Sequence, residues 1–215
     1  MDAMRLPQIS VAAACLVVGG FAIGAALLHP AHSVKASPQE SLAYAPNGDL
    51  LPPTHYREWI YLTSGLDMSY TPKAEDTSGG SMFDNVFVNP EAWRSFLASG
   101  TWPDKTVMVL EQREARNKGS INQSGHFQAV GAVYIEVHVK DESRFPGKWA
   151  FFAFDRPDKN GTLIPQKADC YSCHAENGAV DSTFVQFYPT LLPIAQAKGT
   201  LRAAHATEAS TGADR

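Results

Sequence analysis

Apolar and polar positions alternate in short runs through the middle of this chain. In Gln128–Lys140, Val133, Ile135, Val137 and Val139 alternate with Tyr134, Glu136, His138 and Lys140. A period of two marks a half-buried strand, and it predicts that the side carrying His138 faces solvent. Thr106–Gln112, Trp149–Phe154 and Met82–Val88 read as further strands. The clearest helix is Asn89–Ser99: Asn89 suits an N-cap, Pro90 the first helical position, and Gly100 the stop. Trp93, Phe96 and Leu97 then fall at i, i+3 and i+4 and turn one face to a core. A short helical turn is expected around Thr54–Trp59. Polar loops containing glycine (Thr71–Ser81, Arg113–Gly125, Asp155–Lys167) separate these elements. The pattern describes an α+β domain, an antiparallel sheet with packed helices, and shows no internal repeat.

The two ends differ from this middle. Ile9 to Leu28 holds no charge, and Val34-Lys35-Ala36 before Ser37 has the small-x-small form of a signal-peptidase site. Residues 1–36 are therefore expected to be an export signal, or, if retained, an N-terminal membrane anchor through residues 9–28, which is just long enough to cross a bilayer. Residues 37–53, rich in proline and small polar residues, read as a linker. The domain runs over 54–198, and 199–215 reads as a disordered tail with little to bury. Over the 215 residues the net charge is −4, so no basic footprint for nucleic acid is present. Cys15 lies within the apolar run, and its removal leaves Cys170 and Cys173 as the cysteines of an exported, periplasmic-type protein.

Those two stand in "KADCYSCHAENG" as Cys170-x-x-Cys173-His174. A structural zinc site needs four ligands, and neither a second cysteine pair nor a spaced histidine pair follows. A redox dithiol belongs after a strand at the start of a helix in a βαβ unit and would leave His174 unexplained. A disulfide across two intervening residues closes too small a loop to stabilise much. Attachment of one haem c accounts for all three residues. The two thiols form thioethers to the vinyl groups, and His174 is the proximal iron ligand.

Taken with its surroundings, the motif resembles the cytochrome P-460 family, small exported monohaem proteins that include the cytochromes c′-beta. The matching stretches are "YREW" (Tyr56–Trp59), "NPE" (Asn89–Glu91), "GTWPDKTVMV" (Gly100–Val109), "VKDESRFPGKWAFFAF" (Val139–Phe154) and "CYSCHAEN…FVQFYPTL" (Cys170–Leu191), in order over roughly residues 45–195. The resemblance implies an antiparallel sheet with flanking helices, frequent homodimers, and a five-coordinate haem with His174 as its only protein ligand. Family members that oxidise hydroxylamine carry a lysine that cross-links to the haem. Leu110 stands at that position here, and an alkyl side chain has no nucleophilic nitrogen. The chain thus looks more like the c′-beta branch, with an apolar distal pocket for a diatomic gas such as NO or CO. Leu110 shares a strand face with Met108, and Met82 and Phe83 are placed to close the same pocket.

Other residues fit ordinary packing or surface roles as well as functional ones. His126 and His138 read as surface residues. Met68, Met82 and Met108 are candidate sixth ligands, Met82 foremost, and Arg144 is a candidate for a haem propionate or a turn cap. No paired carboxylates are legible from spacing. Three functions follow in rank order: a gas-binding haem protein, an electron carrier with a sixth ligand and a redox partner protein, and an enzyme acting on hydroxylamine or peroxide.

Overall fold

The computed structural model describes residues 42–70, 80–132 and 134–206. The expected export segment, most of the 71–81 loop, Val133 and residues 207–215 lie outside the described residues.

Seven strands form one antiparallel sheet: β1 (Ile60–Leu66), β2 (Met82–Val88), β3 (Val107–Arg116), β4 (Phe127–Gln128), β5 (Tyr134–Lys140), β6 (Trp149–Phe154) and β7 (Thr162–Leu163). Their spatial order is β1-β2-β3-β5-β6-β7, with β4 paired to the far end of β3. The α+β expectation holds, and every strand expected from alternation is present. The run from Gln128 to Lys140 is two strands, because the chain bends at 129–132. β1 was not expected: Thr63, Ser64 and Gly65 interrupt its apolar pattern, and a register shift between Tyr61 and Thr63 breaks its alternation.

Helix α1 (Pro90–Ser99) lies within a residue of its expected bounds. Gly100 ends it with φ 76° and donates to the Phe96 carbonyl at 2.7 Å, the left-handed stop that glycine takes without strain. Asn89 does not cap the helix with its side chain. Its Oδ1 instead accepts from the Val107 amide at 2.8 Å, tying the helix start to the first residue of β3. Three further helices follow the sheet: α2 (Asp169–Asn177), α3 (Leu192–Lys198) and α4 (Ala203–Ala206).

The sheet is covered on both faces. Odd positions of β3 and β5 (Val107, Val109, Ile135, Val137, Val139) and even positions of β6 (Phe152, Phe154) pack with Leu50, Tyr56 and Phe145. On the other face Leu62, Val88, Met108 and Trp149 pack with Phe96 of α1, Trp102, Tyr188, Leu191 and Ala195 of α3. Two expected boundaries move as a result. Residues 42–53 are not a free linker: Leu50 is fully buried and exchanges two backbone bonds with Gly161. Residues 199–206 are not a free tail either, since Leu201 packs on the second core and the Arg202 amide donates to Ala179.

Candidate functional site

Cys170, Cys173 and His174 lie at i, i+3 and i+4 of α2, which puts all three on one side of the helix. Neither thiol is in a disulfide; Cys170 is exposed and Cys173 half-buried. Burial, then the negative charge of Glu136, pushes the Cys170 thiol above its ordinary value. The helix ends at Gly178, whose amide donates to the His174 carbonyl at 3.0 Å. A Cβ there would stand 2.7 Å from that carbonyl oxygen and 2.8 Å from the Thr183 nitrogen, so only glycine lets the chain double back this tightly.

The doubling back brings Ser182 over the helix, and its carbonyl accepts from His174 Nδ1 at 2.8 Å. A carbonyl only accepts, so Nδ1 carries the proton and Nε2 is left with a free lone pair, the form in which histidine binds metal. Burial lowers the pKa of His174, against the smaller opposing pull of the Ser182 bond, which favours the neutral ring. The ring packs against Phe184 (4.3 Å between centroids), Phe151 (4.6 Å) and His138 (5.1 Å).

His138 therefore does not face solvent. Its strand face alternates as the pattern requires, but α2 and the chain after it cover that face. The ring is 8% exposed, stacks on Phe151 at 4.0 Å and leans on Trp149 at 4.2 Å. Its Nε2 is buried without a hydrogen-bond partner among the described residues, and burial drives its pKa well below the ordinary value.

Beside His174 the same sheet face floors a cavity of about 290 Å³, near the lower end of the ligand-pocket range. Two cross-strand rows make the floor: Val86–Leu110–Glu136 and Asp84–Gln112–Tyr134. Phe184, Phe187, Tyr188, Tyr70 and Met68 wall it, and among the described residues no histidine or lysine lines it. Leu110 stands in the middle of this floor. Phe83 does not reach it, because strict alternation along β2 turns Phe83 to the opposite face with Phe87, which packs on Tyr56. Met82 opens β2 opposite Glu114, beyond the floor rows, and is not in the lining. Met108 lies in the core under α1, so Met68 is the methionine that borders the cavity. Arg144 stacks on Tyr44 at 3.7 Å against the other core. His126 is exposed, as expected.

The expected apolar pocket is corrected by its floor. Burial raises the pKa of Glu136, with the charge of Asp84 adding to it and the Tyr134 hydrogen bond opposing. Asp84 is likewise raised by burial, against the 2.8 Å bond from Gln112 Nε2. Tyr134 is pushed up to about 12, by burial and then by Glu136. These carboxyls stand 52 residues apart on different strands, and only the register of β2, β3 and β5 brings them to one floor, so spacing along the chain could not reveal them. The cavity can exchange protons with a small ligand as well as shelter it.

The cytochrome P460 family description matches residues 53–185, well over half of the 215-residue chain. No curated protein matches the chain. The matched stretch takes in all seven strands, the floor rows and α2. The family implies a haem, and the residues fit one. His174 has a free imidazole lone pair beside a cavity walled by aromatic rings, with an unpartnered buried nitrogen on His138 next to it. On the sequence match and this fit together, the chain belongs to the cytochrome P460 family of haem proteins.

Proposed function

We propose that the chain is an exported monohaem c-type cytochrome that binds a small diatomic ligand such as NO on the cavity side of its haem. Cys170 and Cys173 would form the two thioether bonds, and His174 would supply a nitrogen to the iron. The observation that carries the reading is the seat of His174. It is fixed through Nδ1 to Ser182 and shares a helix side with both thiols, while among the described residues no imidazole or amine lines the neighbouring cavity. When bound, the haem iron would supply ligand affinity and one-electron chemistry. The protein's part is to orient the imidazole, shield the ligand with Leu110, Val86 and Phe184, and hold protons at Glu136, Asp84 and Tyr134. Export rests on the 9–28 run and the Val34-Lys35-Ala36 site, and homodimer formation on the family resemblance.

Two observations favour narrower alternatives. Met68 in the cavity wall offers a thioether for a six-coordinate electron carrier. The Asp84–Glu136 pair favours a protic nitrogen substrate, although Leu110 in place of the cross-linking lysine speaks against hydroxylamine oxidation as the family performs it.

The test is the visible spectrum of the purified ferrous protein before and after NO. A broad high-spin spectrum that shifts at once with NO supports the proposal. Sharp low-spin bands indifferent to NO overturn it and point to Met68. His174→Ala should keep the haem covalently attached while changing its spin state; native spectra in that variant would remove His174 as the ligand.

A further inference from the structure

Lys140 ends β5 on the covered face, one alternation beyond His138, and is only 8% exposed. A lysine so deeply placed calls for partners, and it has them. Nζ donates to the Trp102 carbonyl at 2.7 Å and to Asp181 Oδ2 at 3.3 Å, and lies 5.7 Å from the Trp149 ring centre.

Asp181 sits next to Ser182, in the turn closed by the Val180–Thr183 bridge. Its backbone is left-handed, φ 51°, a conformation strained for a non-glycine residue. Such a conformation persists where the surroundings impose it. On one flank Trp102 Nε1 donates to Thr183 Oγ1 at 2.8 Å. On the other, the Ala179 amide donates to Gln186 Oε1 at 3.2 Å. Lys140 holds the tip itself.

We infer that Lys140 is a positioning residue for the iron ligand. By clamping Asp181 it fixes the Ser182 carbonyl that accepts from His174 Nδ1, and so sets the donor strength of the histidine. The inference rests on the proposed ligation by His174. An acceptor on the remote nitrogen of a metal-bound histidine raises its basicity, and loss of such a partner costs typically 10- to 100-fold in affinity or activity.

The test uses the full haem-loaded protein. Lys140→Met keeps the aliphatic stem against Trp149 and removes the ammonium. Asp181→Asn, on the exposed side of the turn, removes the charge, keeps a residue that tolerates the left-handed backbone, and serves if Lys140→Met does not fold. The readouts are the iron–histidine stretching band of the ferrous protein by resonance Raman and the reduction potential. Both variants should lower that band and raise the potential, Lys140→Met more, with Lys140→Arg restoring both. An unchanged band and potential in either folded, haem-loaded variant overturns the inference. A band that survives His174→Ala defeats the ligation itself, and so separates the two failures.

Discussion

Replacing Glu111 by alanine tests whether the two faces of the sheet are as separate as the structure has them. Glu111 lies between Leu110 and Gln112, both in the cavity floor, yet points the other way and is 2% exposed. Its carboxylate accepts from the Tyr56 hydroxyl, from Arg113 Nε and from Arg57, whose nitrogens stand at 2.6 and 2.8 Å. Arg57 is half exposed, so its bond adds little. Tyr56 and Arg113 are largely buried, and each loses a charged acceptor worth about 1.5–3 kcal/mol. The sum, about 3–6 kcal/mol, overlaps the roughly 3–5 kcal/mol cost of breaking a buried ion pair from one side. At roughly 2–4 °C per kcal/mol for a domain of this size, the melting temperature should fall on the order of 10 °C. Burial alone would raise the Glu111 pKa, but the bonds from Arg113, Tyr56 and Arg57 outweigh it and hold it below the ordinary carboxylate value. Its stabilisation is thus full above the unfolded carboxylate pKa and lost as pH falls through the lower folded one, so wild type and variant should converge in acid. Thermal unfolding followed by far-ultraviolet circular dichroism gives the shift, and the haem absorption bands of the same variant should not move. A drop below about 3 °C would falsify the energetic reasoning, and a shifted haem spectrum would refute the separation of faces.

Three other perturbations follow from the cavity and its supports. Burial raises Glu136, so the folded state holds a proton that the unfolded state has released, and stability falls as pH climbs from the ordinary carboxylate value through the raised one. Glu136→Gln should flatten that fall, read from urea midpoints across mildly acidic to neutral pH, and an unchanged slope would mean that the carboxyl is solvated. Trp102→Phe removes a 2.8 Å bond between two buried groups and leaves Thr183 short of a donor, a loss of about 1–2 kcal/mol in urea unfolding; a neutral result would place that bond outside the ledger of the fold. His138→Phe removes the unpartnered Nε2 and should stabilise the haem-free protein by about 1–2 kcal/mol, whereas destabilisation would show that the nitrogen has a partner within the chain.

Much of the sheet was legible because its strands obey a period of two and its turns are punctuated by glycine. Helix α1 was legible from Asn89, Pro90 and Gly100 at its ends, whereas α2 was not expected as a helix and only its cysteine–histidine motif was legible. Nothing in the apolar spacing of "DCYSCHAEN" declares a helix, and none of its residues is fully buried. β1 was hidden by its register shift and by Thr63, Ser64 and Gly65 in its centre. Leu42, Tyr44 and Leu50 were hidden in a stretch of prolines and turns, since a few apolar residues without a period do not announce that they cover a sheet.

The error with the widest consequence lies on one strand. Tyr134, Glu136, His138 and Lys140 alternate with valines and isoleucine, and alternation says only that two faces differ. It does not say that the polar one meets water. In this fold both faces are covered, the apolar one by a core and the polar one by α2 and the turn that follows it. Burying His138 and Lys140 and half-burying Tyr134 and Glu136 would cost several kcal/mol if they went unpartnered, so such a row survives where its members have tasks. Tyr134 and Glu136 line the cavity floor, Lys140 holds the turn that seats His174, and His138 packs beneath that ring with a nitrogen to spare. The polar face of β5 is the scaffold of the site, and its polarity follows from what must be held there.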